Sequence, residues 1–213
     1  GNLRSKPKEQ IIIEINDLIS KGHKEIILTG VDIASWNMEN QNENSLGVLI
    51  EYILNKIPSL ERLRLSSMDI IGFDEKLIEL IANNKRILPH IHLSLQSGDN
   101  LILKRMKRRH LREDAIELCK KLKQRRPEIS FGADLIVGFP TETEEMFQNT
   151  LNIVEECQLD WIHAFPFSPR PGTPAAKMPQ NDTKIIKQRS KVLREVAKKR
   201  KKSYLENLVG KSI

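Results

Sequence analysis

Five stretches of this 213-residue chain set polar residues or glycine directly behind an apolar run. They are Thr29-Gly-Val-Asp32, Ser66-Ser-Met-Asp69, Ser94-Leu-Gln-Ser-Gly98, Asp134 through Gly138-Phe-Pro, and Phe165-Pro-Phe-Ser-Pro-Arg170. In parallel βα architectures ligands are held at the carboxyl ends of strands, where the connecting loops converge. Hydroxyls, carboxylates and an amide at such ends can hydrogen-bond a small polar molecule. The same residue types also build turns and helix caps, and Asp32, Asp69 and Asp99 read equally well that way.

Strand interiors favour a ligand. Side chains alternate faces along a strand, so His90, His92, Ser94 and Gln96 share one side and Ile91, Leu93 and Leu95 the other. Arg62, Arg64 and Ser66 repeat the pattern on the preceding strand, and Gly132, Asp134 and Gly138 on the following one. A sheet with helices on one face and polar groups on the other suits a curved, barrel-like sheet around a cavity. A doubly wound sheet would read as continuous apolar runs. The competing reading is an internal polar network without a ligand, for example Arg64 with Asp134.

Other chemistry is weakly signalled. His90-x-His92 lacks a third metal ligand nearby and reads as cavity lining. Gly30, Gly98 and Gly138 match neither a dinucleotide fingerprint nor a P-loop. Cys119 and Cys157 sit in helical patterns and read as inert core thiols.

The elements that must position these residues alternate between strand and helix. Helical periodicity at Ile11, Ile12, Ile15, Leu18 and Ile19 stops at Gly22 and is followed by a strand at residues 25–29. An Asn-rich loop spans residues 37–44. A helix at 46–56, a strand at 62–66, a helix capped by Asp74, a strand at 90–95, a basic helical stretch and a helix at 112–125 come next. A strand at 131–137, a helix at 143–157, a strand at 161–167 and a Pro/Gly-rich loop at 168–181 lead to a helix from Asp182, whose apolar stripe is Ile185, Val192, Val196 and Leu208. This is an α/β pattern with a parallel sheet. Five strands are visible and the chain opens on a helix, so a first strand is expected upstream, in a longer protein.

Charged residues at 30% and a mean hydropathy of −0.42 describe a water-soluble chain, and no apolar run nears the roughly 18 residues that span a bilayer. Two cysteines exclude a disulfide framework and make a reducing, cytoplasmic setting the expectation. The net charge of +7 is concentrated. Lys184 to Lys202 holds ten basic residues and one acid, and Lys104 to Arg126 eleven basic residues and three acids. The remainder is net acidic. Two basic blocks on an acidic chain suit a phosphate-rich partner, or else solvated helix faces.

Taken in order, these motifs resemble the core of the radical S-adenosylmethionine methylthiotransferases that modify adenosine 37 of tRNA. The resemblance runs through Gly1-Asn-Leu-Arg-Ser5, Glu25 to Asp32, Arg62-Leu-Arg-Leu-Ser-Ser67, His92 to Gly98 with Leu103-Lys-Arg-Met106, Ala133 to Pro140 with Glu142-Thr-Glu-Glu145, and Phe165 to Ala176. Thr29-Gly-Val-Asp32 is most like the branch acting on N6-threonylcarbamoyladenosine. The isopentenyladenosine branch and the branch modifying a ribosomal-protein aspartate are the alternatives.

The resemblance implies a partial (β/α)6 radical-SAM-type barrel lacking its first strand, with a basic C-terminal helix. Residues 1–181 would be the truncated core, and 182–213 the helix and the start of a linker toward a TRAM domain. The implied cofactors are S-adenosylmethionine and 4Fe-4S clusters, whose cysteine loop is expected before Gly1, so the segment would be inactive alone. By motif position Thr29, Gly30 and Asp32 would take the methionyl amino group, and Ser66, Ser94 and Gln96 the ribose or carboxylate. Asp134, Ile136 and Gly138 would hold the adenine, beside Phe165 and Phe167. The implied partners are tRNA, met by Lys198, Lys199, Arg200, Lys201, Lys202, Arg108 and Arg109, and an electron donor for the cluster, with the protein a monomer and no membrane involved. Departures from the family are Asp69-Ile70, where Glu-Pro is frequent, and Thr141, where Gly is common.

Two readings compete. A lyase or aldolase on a phosphorylated metabolite lacks a strand-end lysine for a Schiff base. A purely RNA-binding module fits the basic blocks, but aromatic residues are only 5% of the chain, which leaves few stacking platforms.

Overall fold

Period-2 alternation in the strands and 3.6-residue periodicity between them fold as βα units in the computed structural model, which describes residues 4–36 and 45–211. The expected Asn-rich loop at 37–44 and the first three residues of the Gly1–Ser5 match lie outside the described residues. The chain divides into two compact units, Gly1–His92 with Lys121–Ile129, and Leu93–Lys120 with Ser130–Ile213.

The first unit opens with α1 (Lys8–Ser20), then β1 (Glu25–Leu28), α2 (Leu46–Lys56), β2 (Arg62–Leu65) and α3 (Glu75–Asn83). Ser45 caps α2 by accepting from the Val48 amide at 3.3 Å, and Asp74 caps α3 through the Leu77 amide at 2.7 Å. β1 and β2 pair in parallel, Glu25 opposite Arg62 through Leu28 opposite Leu65. Ile26, Leu63 and Leu65 are buried, as are Ile50 and Ile53 of α2 and Leu77 and Ile81 of α3. Burying each such side chain fully stabilises the fold by about 1.5–3 kcal/mol. The outward face carries Arg64, whose Nε donates to Glu25 Oε1 at 2.8 Å. Arg64 is thus paired with the neighbouring strand's carboxylate.

β3 (His90–Gln96) alternates half-buried and buried residues along its whole length, as its polar/apolar pattern requires. The second unit continues through α4 (Asn100–Arg105), α5 (Arg112–Arg125, whose end returns to the first unit), β4 (Ser130–Val137), α6 (Glu144–Glu156), β5 (Leu159–Pro166) and α7 (Thr183–Glu206). The strands form two sheets, β1-β2 and β3-β4-β5, rather than one continuous five-stranded ladder. β2 makes its next main-chain bonds with the segment after α3: Leu63 N donates to Arg86 O at 2.7 Å and Leu88 N to Leu63 O at 2.9 Å.

α7 corrects the sequence reading. The predicted stripe of Ile185, Val192, Val196 and Leu208 is not the buried one, and Ile185 is exposed. Arg189, Ser190 and Leu193 are buried instead. A hydrophobicity pattern passes over an arginine, but this guanidinium is neutralised inside the protein by a carboxylate 47 residues away.

Candidate functional site

In the first unit, β1 ends at Leu28 and the chain turns through Thr29, Gly30, Val31 and Asp32 into a 3₁₀ turn at Ile33–Ser35. These four residues line a cavity of about 680 Å³ whose apolar wall includes Ile15, Leu18, Ile26 and Leu49. That volume is in the range of small-molecule and cofactor pockets. Asp32 precedes the turn without capping it through its side chain, and its Oδ2 accepts from Ser35 Oγ at 2.5 Å. The Trp36 indole, also on the cavity wall, donates to Lys6 O at 2.9 Å and ties the segment before α1 to this loop. Ser66 lies outside that lining. Its amide donates to Leu28 O at 3.0 Å, while its Oγ is buried with no hydrogen-bond partner among the described residues. A buried hydroxyl left without a partner beside a cavity-forming strand end is the condition that a polar ligand atom satisfies.

The aspartates separate by role. Asp69 accepts from the Ile71 amide at 3.4 Å, and Asp99 caps α4 through Leu101 N at 3.0 Å and Ile102 N at 3.1 Å. Both carboxylates take backbone amides, and Asp99 Oδ2 also accepts from Asn149 Nδ2 at 2.9 Å.

In the second unit, Ser94 and Gln96 share the half-buried face of β3. Gln96 has φ of 71°, a left-handed conformation that costs a non-glycine residue about 1–2 kcal/mol. Strain of this kind tends to collect where a chain serves a ligand. Just beyond it, Gly98 is demanded by proximity: a Cβ there would come within 2.4 Å of Asn149 O and 2.7 Å of Thr150 Cα on α6.

The β4–β5 register sets Asp134 opposite His163 and Ile136 opposite Phe165. Phe167 N donates to Val137 O at 2.9 Å, and the Phe167 ring meets Phe139 edge-on with centroids 5.1 Å apart. Asp134, Ile136, Gly138, Phe165 and Phe167 therefore gather around the ends of two paired strands. Gly138 itself has φ of 74°, and a Cβ on it would strike Ile186 of α7 at 2.5 Å.

Sequence reasoning assigned no role to the pair that holds this turn. Gly138 N donates to Glu142 Oε2 at 2.8 Å, and Arg189 Nη1 donates to the same oxygen at 2.7 Å and to Glu142 O at 2.9 Å. Burial pushes the Glu142 carboxyl above its ordinary range, against the Gly138 amide and Arg189, which favour the anion. The available signal was the spacing Ile186, Ser190, Leu193, which brackets Arg189 on one helical face.

Of the basic residues expected to meet RNA, Lys198, Lys199, Lys201 and Lys202 are exposed on α7. Lys201 Nζ stands 4.9 Å over the Trp161 ring. Arg200 is spent internally, on Leu159 O at 3.0 Å, Glu155 Oε2 at 3.2 Å and Asp160 Oδ1 at 3.3 Å. Arg108 donates to Ser94 O at 2.9 Å, whereas Arg109 is exposed.

An iron–sulfur cluster needs thiolate ligands. Cys119 and Cys157 are buried thiols outside any disulfide, and no group of three or more His, Cys, Asp or Glu suited to a metal occurs among the described residues. The residues present do not fit a cluster. In the first unit a strand-end cavity carries the Asp32 carboxylate, and in the second a glycine turn lies beside the Phe139 and Phe167 rings. No helix among the described residues is long and apolar enough to cross a membrane.

The chain is similar to known proteins along its length. It is 46% identical over 213 residues to the threonylcarbamoyladenosine tRNA methylthiotransferase of Rickettsia prowazekii, covering 100% of this chain and 51% of that protein. It is 39% identical over 214 residues to the enzyme of the same description from Aquifex aeolicus, covering 100% and 52%. It is also 39% identical over 214 residues to a tRNA-2-methylthio-N(6)-dimethylallyladenosine synthase of Shouchella clausii, covering 98% and 41%. The chain thus spans about half the length of these relatives. Among solved structures, coproporphyrinogen III oxidase from Escherichia coli superposes with a TM-score of 0.67 at 14% identity, over 91% of this chain and 44% of that one. A radical S-adenosylmethionine methyltransferase from Kitasatospora setae gives 0.64 at 17%, over 80% and 33%. These likenesses speak to the fold, a partial radical-SAM α/β architecture. Residues 1–154 match the family model of the Radical SAM superfamily, whose cofactors are S-adenosylmethionine and a 4Fe-4S cluster, and to that superfamily this chain belongs.

Proposed function

We propose that this chain is the S-adenosylmethionine-holding core of a tRNA methylthiotransferase that places a methylthio group on C2 of N6-threonylcarbamoyladenosine 37, and that it acts in the cytoplasm as a monomer. The reading is carried by the 46% identity over the whole chain to a methylthiotransferase so described, joined to a cavity built around Thr29-Gly-Val-Asp32.

Each residue's role is assigned within its own unit. The carbonyls of Thr29 and Gly30 and the Asp32 carboxylate accept from the methionyl ammonium, which carries three donors. Ser66 Oγ supplies a hydroxyl to a ribose or carboxylate oxygen. In the second unit, Ser94 and Gln96 offer further polar contacts, and Asp134, Ile136 and Gly138 hold the adenine by main-chain and apolar contact beside Phe165 and Phe167. When bound, S-adenosylmethionine supplies the radical and methyl-transfer chemistry, which this chain shields and orients. Cluster ligands and an electron donor come from outside these residues, so the segment alone is inactive. The exposed lysines of α7 meet tRNA phosphates.

Two experiments test this. In the full-length gene product, Asp32→Ala with Gln96→Ala weakens S-adenosylmethionine binding in calorimetry; unchanged affinity removes the cofactor assignment. Expressed in a bacterium stripped of tRNA methylthiolation, the gene restores methylthio-threonylcarbamoyladenosine in nucleoside digests. Restoration of the methylthio-isopentenyl nucleoside instead assigns the other branch, favoured by relatives such as the Shouchella clausii enzyme.

A further inference from the structure

The buried pair between α6's approach and α7 has no part in the reading above. Glu142 has a fully buried side chain, and Arg189 is nearly so, at 7% exposure. Removing two charges from water is expensive, and such a pair adds little net stability compared with apolar residues of the same volume. Its geometry indicates another use. The carboxylate accepts from the Gly138 amide four residues upstream, closing the turn on itself, while the guanidinium grips both Glu142 Oε2 and Glu142 O. Arg189 Nη2 also reaches Glu144 Oε2 at 3.1 Å, and its guanidinium lies 5.4 Å from the Phe147 ring centroid. Above the turn, Ile186 fills the place where a Gly138 Cβ would stand. Within the turn, Thr141 is held at φ of 67°, a left-handed conformation that a β-branched residue keeps only when its surroundings impose it.

We infer that Arg189 is a positioning residue: acting through Glu142, it fixes the Gly138–Glu142 turn in the shape that receives the adenine of S-adenosylmethionine. The inference rests on the reading that this turn holds the adenine. A strained turn closed by one carboxylate relaxes when that carboxylate is loosened, and the ordering cost then falls on ligand binding. α7 thus serves the cofactor from its buried face, while Lys198, Lys199 and Lys202 stay exposed on the same helix.

The test uses the full-length gene product, with S-adenosylmethionine and S-adenosylhomocysteine as probes in calorimetry and amide hydrogen exchange read over residues 138–143. Arg189→Lys keeps a buried cation but loses the planar fork that reaches Glu142 and Glu144 from two nitrogens at fixed spacing. The double variant Glu142→Leu with Arg189→Met removes both charges, so neither is left stranded in the interior. Both variants are expected to bind either probe about tenfold more weakly, the worth of one charge-assisted hydrogen bond, and to exchange the Gly138 amide faster. Glu142→Gln, which keeps an acceptor for both donors, is expected to stay within about threefold of the parent. Parental affinity and exchange in either folded charge variant overturns the inference. If the parent itself binds neither probe, or ignores Asp32→Ala, the cofactor reading falls instead, and the exchange data still report whether Arg189 orders the turn.

Discussion

Arg126 closes α5 and lies in a stretch dense with basic residues, yet its side chain is only 8% exposed. Its Nη1 donates to Ile81 O at 2.7 Å and Ile87 O at 2.9 Å, with a longer approach to Asn84 O at 3.4 Å. These carbonyls come from the last turn of α3 and the segment after it, where a helix leaves acceptors unpaired. Asn84 O keeps the Ile87 amide at 3.1 Å, so replacing Arg126 by leucine strands the Ile81 and Ile87 carbonyls, at about 1–3 kcal/mol each, and a loss of about 4 kcal/mol is expected. The Glu128 carboxylate bonded to Nε at 2.9 Å is 62% exposed and adds little. Urea unfolding of the purified chain measures this directly: at an m value of about 2 kcal/mol/M the midpoint falls by about 2 M. Arg125→Ala is the internal comparison. Its bridge to Glu75, at 3.1 Å with both side chains exposed, contributes little to stability. A midpoint for Arg126→Leu within about 0.5 M of the parent would refute the view that this block is partly built for the fold.

Thr141→Gly relieves about 1–2 kcal/mol of left-handed strain and returns about 0.5–1 kcal/mol as unfolded-chain entropy, so stability rises by about 0.5–1 kcal/mol; a lower thermal midpoint contradicts this. His90 is pushed down to about 4 from 6.5 by burial, then by Arg64 and His92. The unfolded chain therefore binds the extra proton in that window, and stability falls as pH drops from 6.5 toward 4, by about 2–3 kcal/mol in all; His90→Gln flattens the profile, and an unchanged slope rules His90 out. Replacing Lys198, Lys199, Lys201 and Lys202 by glutamine reduces the log–log salt slope of tRNA binding by up to about 4, whereas Arg200→Ala lowers stability and leaves the slope alone; parallel slopes for the lysine variant deny these charges a phosphate role.

Much of the fold is legible in the residues because strands and helices bury one face each. The alternation of His90 to Gln96, the cap at Asp74 and the helical stretch from Asp182 lead directly to β3, α3 and α7. What stays hidden depends on partners far along the chain. Nothing local marks Arg64 for Glu25, Arg126 for the carbonyls of α3, or Arg200 for Asp160. A guanidinium reads the same whether it ends in water or on a carbonyl, so a run of basic residues overstates the charge left at the surface. Left-handed Gln96 was invisible for a related reason, since φ follows from what surrounds a residue rather than from its type. Thr141 was half visible: it stands where the family commonly has Gly, and its φ of 67° is the conformation glycine would take without strain.

Gly98 gives a different lesson about reading glycines. Its backbone is ordinary, and what forbids a larger residue is the main chain of α6 occupying the space where a side chain would begin. Any relative with a bulkier amino acid at this position must have displaced that helix. The identity of one residue thus serves as a gauge, readable without coordinates, of how tightly α6 lies over the end of β3.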